Sequence, residues 1–232
     1  MKTSNLLLLG LLSFLFIAMV GVDLSLKKEF ARIDRNDPYY GYSKEPLKPF
    51  KYIKLRGSNF TLTQIRPGKQ FEIRGLEFED YPGKPTVKWE VVSDTLYVNF
   101  KKGEVYNPHY DVYQALNQGV GIYILAPELS GINSTGIVSK VTGWPGGDFS
   151  VVQSGSGMHL SDNGFDNLSI ISKGRGYVAA LTDNHLGSTR LQVRDSSTFQ
   201  ADKNVFKTFQ MQVDSTSTVT LPGNLLNKNI NL

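Results

Sequence analysis

The carboxylates of this 232-residue sequence that could do acid–base chemistry are aspartates that mark turns. Cleaving a glycoside would need two carboxylates facing one cleft at a defined separation. Asp195 and Asp214 fall at nearly equivalent places in successive segments, and Asp148, Asp162, Asp166 and Asp183 mark other turns. Aspartate is also what turns select, because its side chain bonds the nearby backbone, so a turn role is expected for each. A carbohydrate-active enzyme using paired aspartates is kept as the alternative. His109, His159 and His185 show no His-x-Glu or His-x-His spacing, and no metal site is expected. The absence of cysteine excludes thiolate metal sites, a disulfide framework and a cysteine nucleophile. Ser154-Gly155-Ser156-Gly157 contains part of a Gly-x-Ser-x-Gly string, but it lies between strand-like runs, where its glycines relieve a tight corner. There is no phosphate loop. No catalytic residue, cofactor or metal is therefore assigned, and a non-enzymatic protein is expected.

The residues suited to binding are aromatic. Trp144, in Gly143-Trp144-Pro145-Gly146-Gly147-Asp148, sits on a glycine-rich loop and is the first candidate for a binding hot spot. The competing reading folds its ring back onto a neighbouring strand. Tyr106, His109, Tyr110 and Tyr113 lie in the irregular segment 103–121, where they would stack on sugar rings or pack over the edge of the core. The net charge of +4 is mild and spread along the chain, so no nucleic-acid footprint is read. A glycan or a cell-envelope protein is the expected kind of partner.

The elements that must position these residues are organised by a repeat. Aligning Ile137, Met158, Tyr177, Phe199 and Val219 gives spacings of 21, 19, 22 and 20 residues. Each is preceded by a small residue, Gly136, Gly157, Gly176, Thr198 or Thr218. Upstream of the last four lie apolar-rich runs starting at Phe149, Leu168, Leu191 and Met211, separated from the aligned position by polar or glycine turns. A fixed period near twenty residues marks stacked units that cannot bury their own apolar faces alone. Two short strands and two turns per unit predict an all-β fold, a parallel β-helix over residues 104–222.

Before the repeat, residues 50–103 alternate apolar and polar positions in short strands at Tyr52–Leu55, Phe60–Thr63, Gln70–Ile73, Val87–Val91 and Leu96–Phe100. These are expected to cap the first unit, since an exposed end would offer unpaired backbone to other chains. Residues 122–125 then lead into the repeat.

Leu6 to Val22 are 17 consecutive uncharged, mainly apolar residues. As a helix they would reach about 26 Å, close to the length of a membrane span. An uncleaved anchor over residues 1–25 is favoured over a removed signal peptide, because Ala18-Met19-Val20-Gly21 fits a small-x-small cleavage site poorly. Residues 26–49 then read as a polar stalk, with a helical stub reaching about Arg35, and residues 223–232 as a tail. Lys27, Lys28, Arg32 and Arg35 follow the span while Lys2 precedes it, a count that by itself places the domain in the cytoplasm.

One succession of residues points outward instead. Phe50-Lys51-Tyr52-Ile53, Asp94-Thr95-Leu96-Tyr97-Val98, Gly121 to Pro127, the Ser154–Gly157 turn and Leu221-Pro222-Gly223 together resemble the head GIN domain. Proteins that carry this domain occur widely in the Bacteroidetes and are labelled auto-transporter adhesins. The resemblance covers residues 50–222 and implies a right-handed parallel β-helix, an extracytoplasmic location and no catalytic residues. This chain departs from it in its longer N-terminal anchor and in a loss of regularity at Leu186 to Arg190. The expectation is thus an inner-membrane-anchored β module of the cell envelope, facing the periplasm or exterior, with a binding or structural role. An assembly or sensing component of the envelope is a further alternative.

Overall fold

The computed structural model describes residues 3–34, 37–58, 61–76, 87–100, 116–117 and 119–225. The chain divides into two compact units, Met1–Tyr42 and Ser43–Leu232. The first is built on one helix, α1 (Thr3–Arg32), of 30 residues. At about 1.5 Å per residue it spans roughly 45 Å, more than the roughly 30 Å hydrocarbon core of a bilayer. Its leucines, phenylalanines and isoleucine are exposed all round, with no buried stripe. A helix of a water-soluble core would show such a stripe. By length and composition α1 can cross a membrane.

Among its described residues the second unit is built mainly of strands. Its first strands are β1 (Tyr42–Pro46), β2 (Tyr52–Arg56), β3 (Leu62–Pro67), β4 (Glu72–Leu76), β5 (Val87–Val92), β6 (Thr95–Phe100) and β7 (Val120–Ala126). The repeat region supplies β8 (Gly131–Thr135), β9 (Ser139–Thr142), β10 (Asp148–Ser154), β11 (Gly157–Ser161) and β12 (Asn167–Lys173). It continues with β13 (Tyr177–Ala180), β14 (Leu186–Val193), β15 (Thr198–Ala201), β16 (Phe206–Val213) and β17 (Thr218–Thr220). They form two sheets of mixed strand orientation. The first has the order β1-β4-β7-β3-β9-β11-β13-β15-β17, and the second the order β16-β14-β12-β10-β8-β2-β6-β5. From β8 onward successive strands alternate between the sheets, and each pairs in parallel with the strand two places away in sequence.

The period is real, but its register differs from the sequence alignment. The paired positions are Ser139, Met158, Val178, Phe199 and Val219, separated by 19, 20, 21 and 20 residues. Ile137 is displaced by two positions and Tyr177 by one. In a strand a one-residue slip moves a side chain to the opposite face. Val178 points into the main core, whereas Tyr177 packs in a second cluster with Leu62, Leu116, Val138 and Ala179. Both residues at 177 and 178 are apolar, so hydrophobicity alone did not separate them. Leu186 to Arg190 also proves regular: these residues are the first part of β14, paired with β12 on one side and β16 on the other.

The strands expected as a cap are placed differently as well. β2 is hydrogen-bonded to both β6 and β8, and β3 to both β7 and β9, so both lie inside the sheets. The antiparallel partners are β5, beside β6, and β4, beside β7. Local alternation shows that a segment is a strand with one buried face. It carries no information about which neighbour that strand selects.

The core is contributed by the inward positions of each strand, such as Phe149 and Val151 on β10, Leu168 and Ile170 on β12, and Met158 and Leu160 on β11. Burying side chains of this size stabilises by about 1.5–3 kcal/mol each. Phe149 and Phe165 stack with ring centroids 4.4 Å apart and planes 3° from parallel. The polar corners are equally regular. Gly155-Ser156, Gly174-Arg175 and Asp195-Ser196 each place two consecutive residues at φ between 55° and 61°. Left-handed backbone at a residue other than glycine costs about 1–2 kcal/mol, so these corners are held by their surroundings. Gly155 N–H donates to Gly174 O, and Arg175 N–H to Asp195 O, so each corner is bonded to the next.

Candidate functional site

The inward half of each strand makes the core, and the outward half of the second sheet makes an open, mostly polar face. One row across this face reads Tyr52, Gly131, Ser150, Ser169, Arg190 and Gln210. A flanking row reads Asp148, Asn167, Ser188 and Thr208. On the other side run Lys54, Asn133, Val152, Ile171, Gln192 and Gln212. Rows of this kind follow from in-register parallel pairing, which sets neighbouring side chains about 4.8 Å apart.

A groove of about 560 Å³ lies over the first two rows. The Tyr52 side chain stands at one end and is 43% exposed. Glycine at 131 keeps the next position at backbone level, because any larger side chain would run into the Ser150 hydroxyl. Asn167 Nδ2 donates to Asp148 Oδ1 at 2.7 Å, which fixes the carboxylate across two strands. Arg190 and Gln210 line the far end. In the third row the Lys54 ammonium sits 5.2 Å from the centroid of the Tyr97 ring, and Gln192 Nε2 donates to Gln212 Oε1 at 3.3 Å. A second hollow, of about 470 Å³, is lined by Asp166, His185, Lys203 and Lys207, where the chain enters β12, β14 and β16.

The residues singled out from sequence fall elsewhere. Trp144 is 4% exposed and belongs to the main core, so its ring is folded in. Its backbone N–H donates to Asn163 Oδ1 at 3.3 Å. Asn163 Nδ2 in turn donates to Val141 O and Asn184 Oδ1, and Asn184 Nδ2 to Leu160 O and Leu181 O. This asparagine ladder satisfies the buried backbone where the chain crosses between sheets, and it draws the Trp144 loop against the core. Tyr106, His109, Tyr110 and Tyr113 lie outside the described residues.

The aspartates serve corners. Asp214 Oδ2 accepts from Asp195 N–H at 2.7 Å, and Oδ1 accepts from Thr216 N–H and its hydroxyl, both at 2.9 Å. The Asp195 N–H is the main cause that holds the Asp214 carboxyl down at about 2. Asp166 Oδ2 accepts from Gly147 N–H at 2.8 Å. Burial pushes the Asp183 carboxyl up, but hydrogen bonds from the Asp162 backbone and the Ser161 hydroxyl, the latter 2.8 Å away, leave it below the usual carboxylate range. Glu72 behaves alike: partial burial raises it, and hydrogen bonds from Lys44 and Arg74, at 2.9 and 2.8 Å, bring it below the ordinary value. His159 is held neutral by burial and by Lys140, with its imidazole pushed down to about 4. Among the described residues no three histidine or acidic side chains converge as a metal site.

Sequence reasoning missed Tyr52, the Asp148–Asn167 pair and Arg190. The signal for the first was present in the alternation of Tyr52-Ile53-Lys54-Leu55, which places Tyr52 and Lys54 opposite the buried face. Arg190 was hidden because its segment was read as irregular.

No family model and no curated protein matches this chain. Its fold is similar to a solved structure from Parabacteroides distasonis described as a "putative adhesin", at a TM-score of 0.50 and 14% identity over 77% of this chain and 71% of the other. A "putative adhesin" from Bacteroides fragilis matches at TM-score 0.44 and 14% identity, over 82% of this chain and 96% of that one. A "putative lipid binding protein" from Parabacteroides distasonis matches at 0.36 and 13%, over 77% and 92%. At these identities the likeness concerns the fold alone.

Proposed function

We propose that the chain is a membrane-anchored extracytoplasmic module with a binding or structural role, and that residues 50–222 form a right-handed parallel β-helix of the head GIN type. The in-register parallel pairing of alternate strands at a period near twenty residues supports the β-helix. The likeness to a fold described as a "putative adhesin" from Parabacteroides distasonis is in keeping with the binding role. The anchor reading rests on the 30-residue α1, whose large apolar side chains are exposed all round.

The observation that carries the binding role is the grooved outer face of the second sheet, which presents an exposed tyrosine and a ladder of hydrogen-bonding side chains. A non-catalytic reading is supported by the partners of Asp166, Asp183 and Asp214, which are turn backbone and turn hydroxyls, and by the low-lying carboxyl of Asp214. A general acid needs a raised one.

Two measurements test the proposal. Protease added to spheroplasts, whose outer envelope is removed, should shave off the β unit, and protection until the inner membrane is lysed would refute the extracytoplasmic orientation. Deleting the chain from its native cell should reduce attachment to immobilised extracellular material, and unchanged attachment would refute the adhesive role.

A further inference from the structure

We propose that the groove over Tyr52, Asp148, Asn167, Ser169, Ser188 and Arg190 is a binding site for an uncharged glycan, whose chain crosses the strands of the second sheet with one sugar ring against the Tyr52 ring. The assignment rests on the binding role proposed above and names the ligand class of that face. Four observations carry it. The groove, at about 560 Å³, is of the size that holds a small ligand or a short piece of a longer one.

Most of its lining residues carry hydroxyl or amide side chains, among them Ser150 on β10, Asn167 and Ser169 on β12, Ser188 on β14 and Gln210 on β16. A polyhydroxylated chain has donors and acceptors at short intervals along its length, which is what such a ladder can meet. The exposed Tyr52 side chain supplies a flat apolar surface with a polar tip, suited to the C–H face of a sugar. The charges of the lining balance, with Asp148 held as an acceptor by Asn167 and Arg190 as the one cation. A polyanion would find no excess of positive charge inside the groove.

Other occupants fit less well. A peptide adding to the sheet needs a free strand edge, but β2, β8, β10, β12 and β14 are each paired on both sides. An acyl chain needs a continuous apolar surface, whereas Val152 and Ile171, the apolar members of the adjacent row, are flanked by Asn133 and Gln192.

The test uses the full chain in detergent and affinity electrophoresis through gels containing dextran, yeast mannan, mixed-linkage β-glucan or, as the charged control, polygalacturonate. At least one neutral polysaccharide should retard the protein. Tyr52→Ala should weaken that retardation about tenfold, the loss of one well-packed aromatic contact. Ser169→Tyr, a bulky residue at an exposed strand position that favours it, should fill the groove and abolish retardation while the melting temperature stays unchanged. Trp89→Ala, which removes an exposed aromatic on β5 away from the groove, should change nothing. Retardation by none of the neutral polymers, equal retardation by polygalacturonate, or binding indifferent to both Tyr52→Ala and Ser169→Tyr would each overturn the glycan site. A deletion that still abolishes cell attachment would then leave the binding role standing without it.

Discussion

Acid should destabilise the folded chain through one histidine. His159 lies on β11, between Lys140 of β9 and Ala179 of β13 in register, with its ring 6.2 Å from that of Tyr177. Burial and the Lys140 ammonium push its imidazole down to about 4, and Asp202 opposes them weakly. The unfolded chain takes up this proton from about pH 6.5 downward, and the folded chain only near 4. Between those values the unfolded state binds more protons, so stability falls as the pH falls. Taken at full strength, linkage from pH 7 to pH 4.5 amounts to about 2.4 kcal/mol. His159 is only partly buried, so solvent screening brings the expected loss to about 1–2 kcal/mol. For a domain of this size that is a drop in melting temperature of roughly 3–6 °C. The assay is thermal or urea unfolding of the full chain and of His159→Gln, each at pH 7 and pH 4.5. Glu72 and Asp183 also lose stabilisation in acid, but they do so in both proteins and cancel in the difference. Identical pH dependence in the two proteins would refute the argument.

Three further outcomes are expected. Asn163→Ala removes the acceptor of the buried Trp144 N–H and a donor to the Val141 carbonyl, and should cost about 1–3 kcal/mol by urea unfolding. Gly57→Ala should cost more than about 2 kcal/mol, because Gly57 has φ 117° and a methyl there would meet the Phe100 carbonyl; a neutral effect would contradict the register of β2 against β6. Carbon-detected NMR titration should place the Asp214 carboxyl near 2, with any stability it contributes present above its unfolded value and lost as the pH falls through 2, and Thr216→Val should move it upward.

The sequence contained the period of the fold because stacking demands it: each unit must present apolar residues at the same place as its neighbours. It also contained the apolar helix, whose 17-residue uncharged run extends into the continuous α1 ending at Arg32. The corners were legible as glycine and polar clusters, and the structure adds that three of them place paired residues in left-handed backbone. The face assignment of Tyr177 was not legible, because adjacent apolar residues satisfy either register until the partner strands select one. The interior position of β2 and β3 was hidden for a related reason: it depends on β6 and β7, which come later in the chain and pair outside them.

The candidate site separates the two levels most clearly. Trp144 stood out in the sequence because a tryptophan on a glycine-rich loop can be a binding hot spot, yet the asparagine ladder draws its loop onto the core and the ring is buried. Tyr52, Asp148, Asn167 and Arg190 stand far apart in sequence and became neighbours only through the order of strands in the second sheet. Composition and periodicity determined that the chain would stack strands behind an apolar N-terminal segment. Strand order and register, set by packing between distant segments, decided which side chains share an exposed groove.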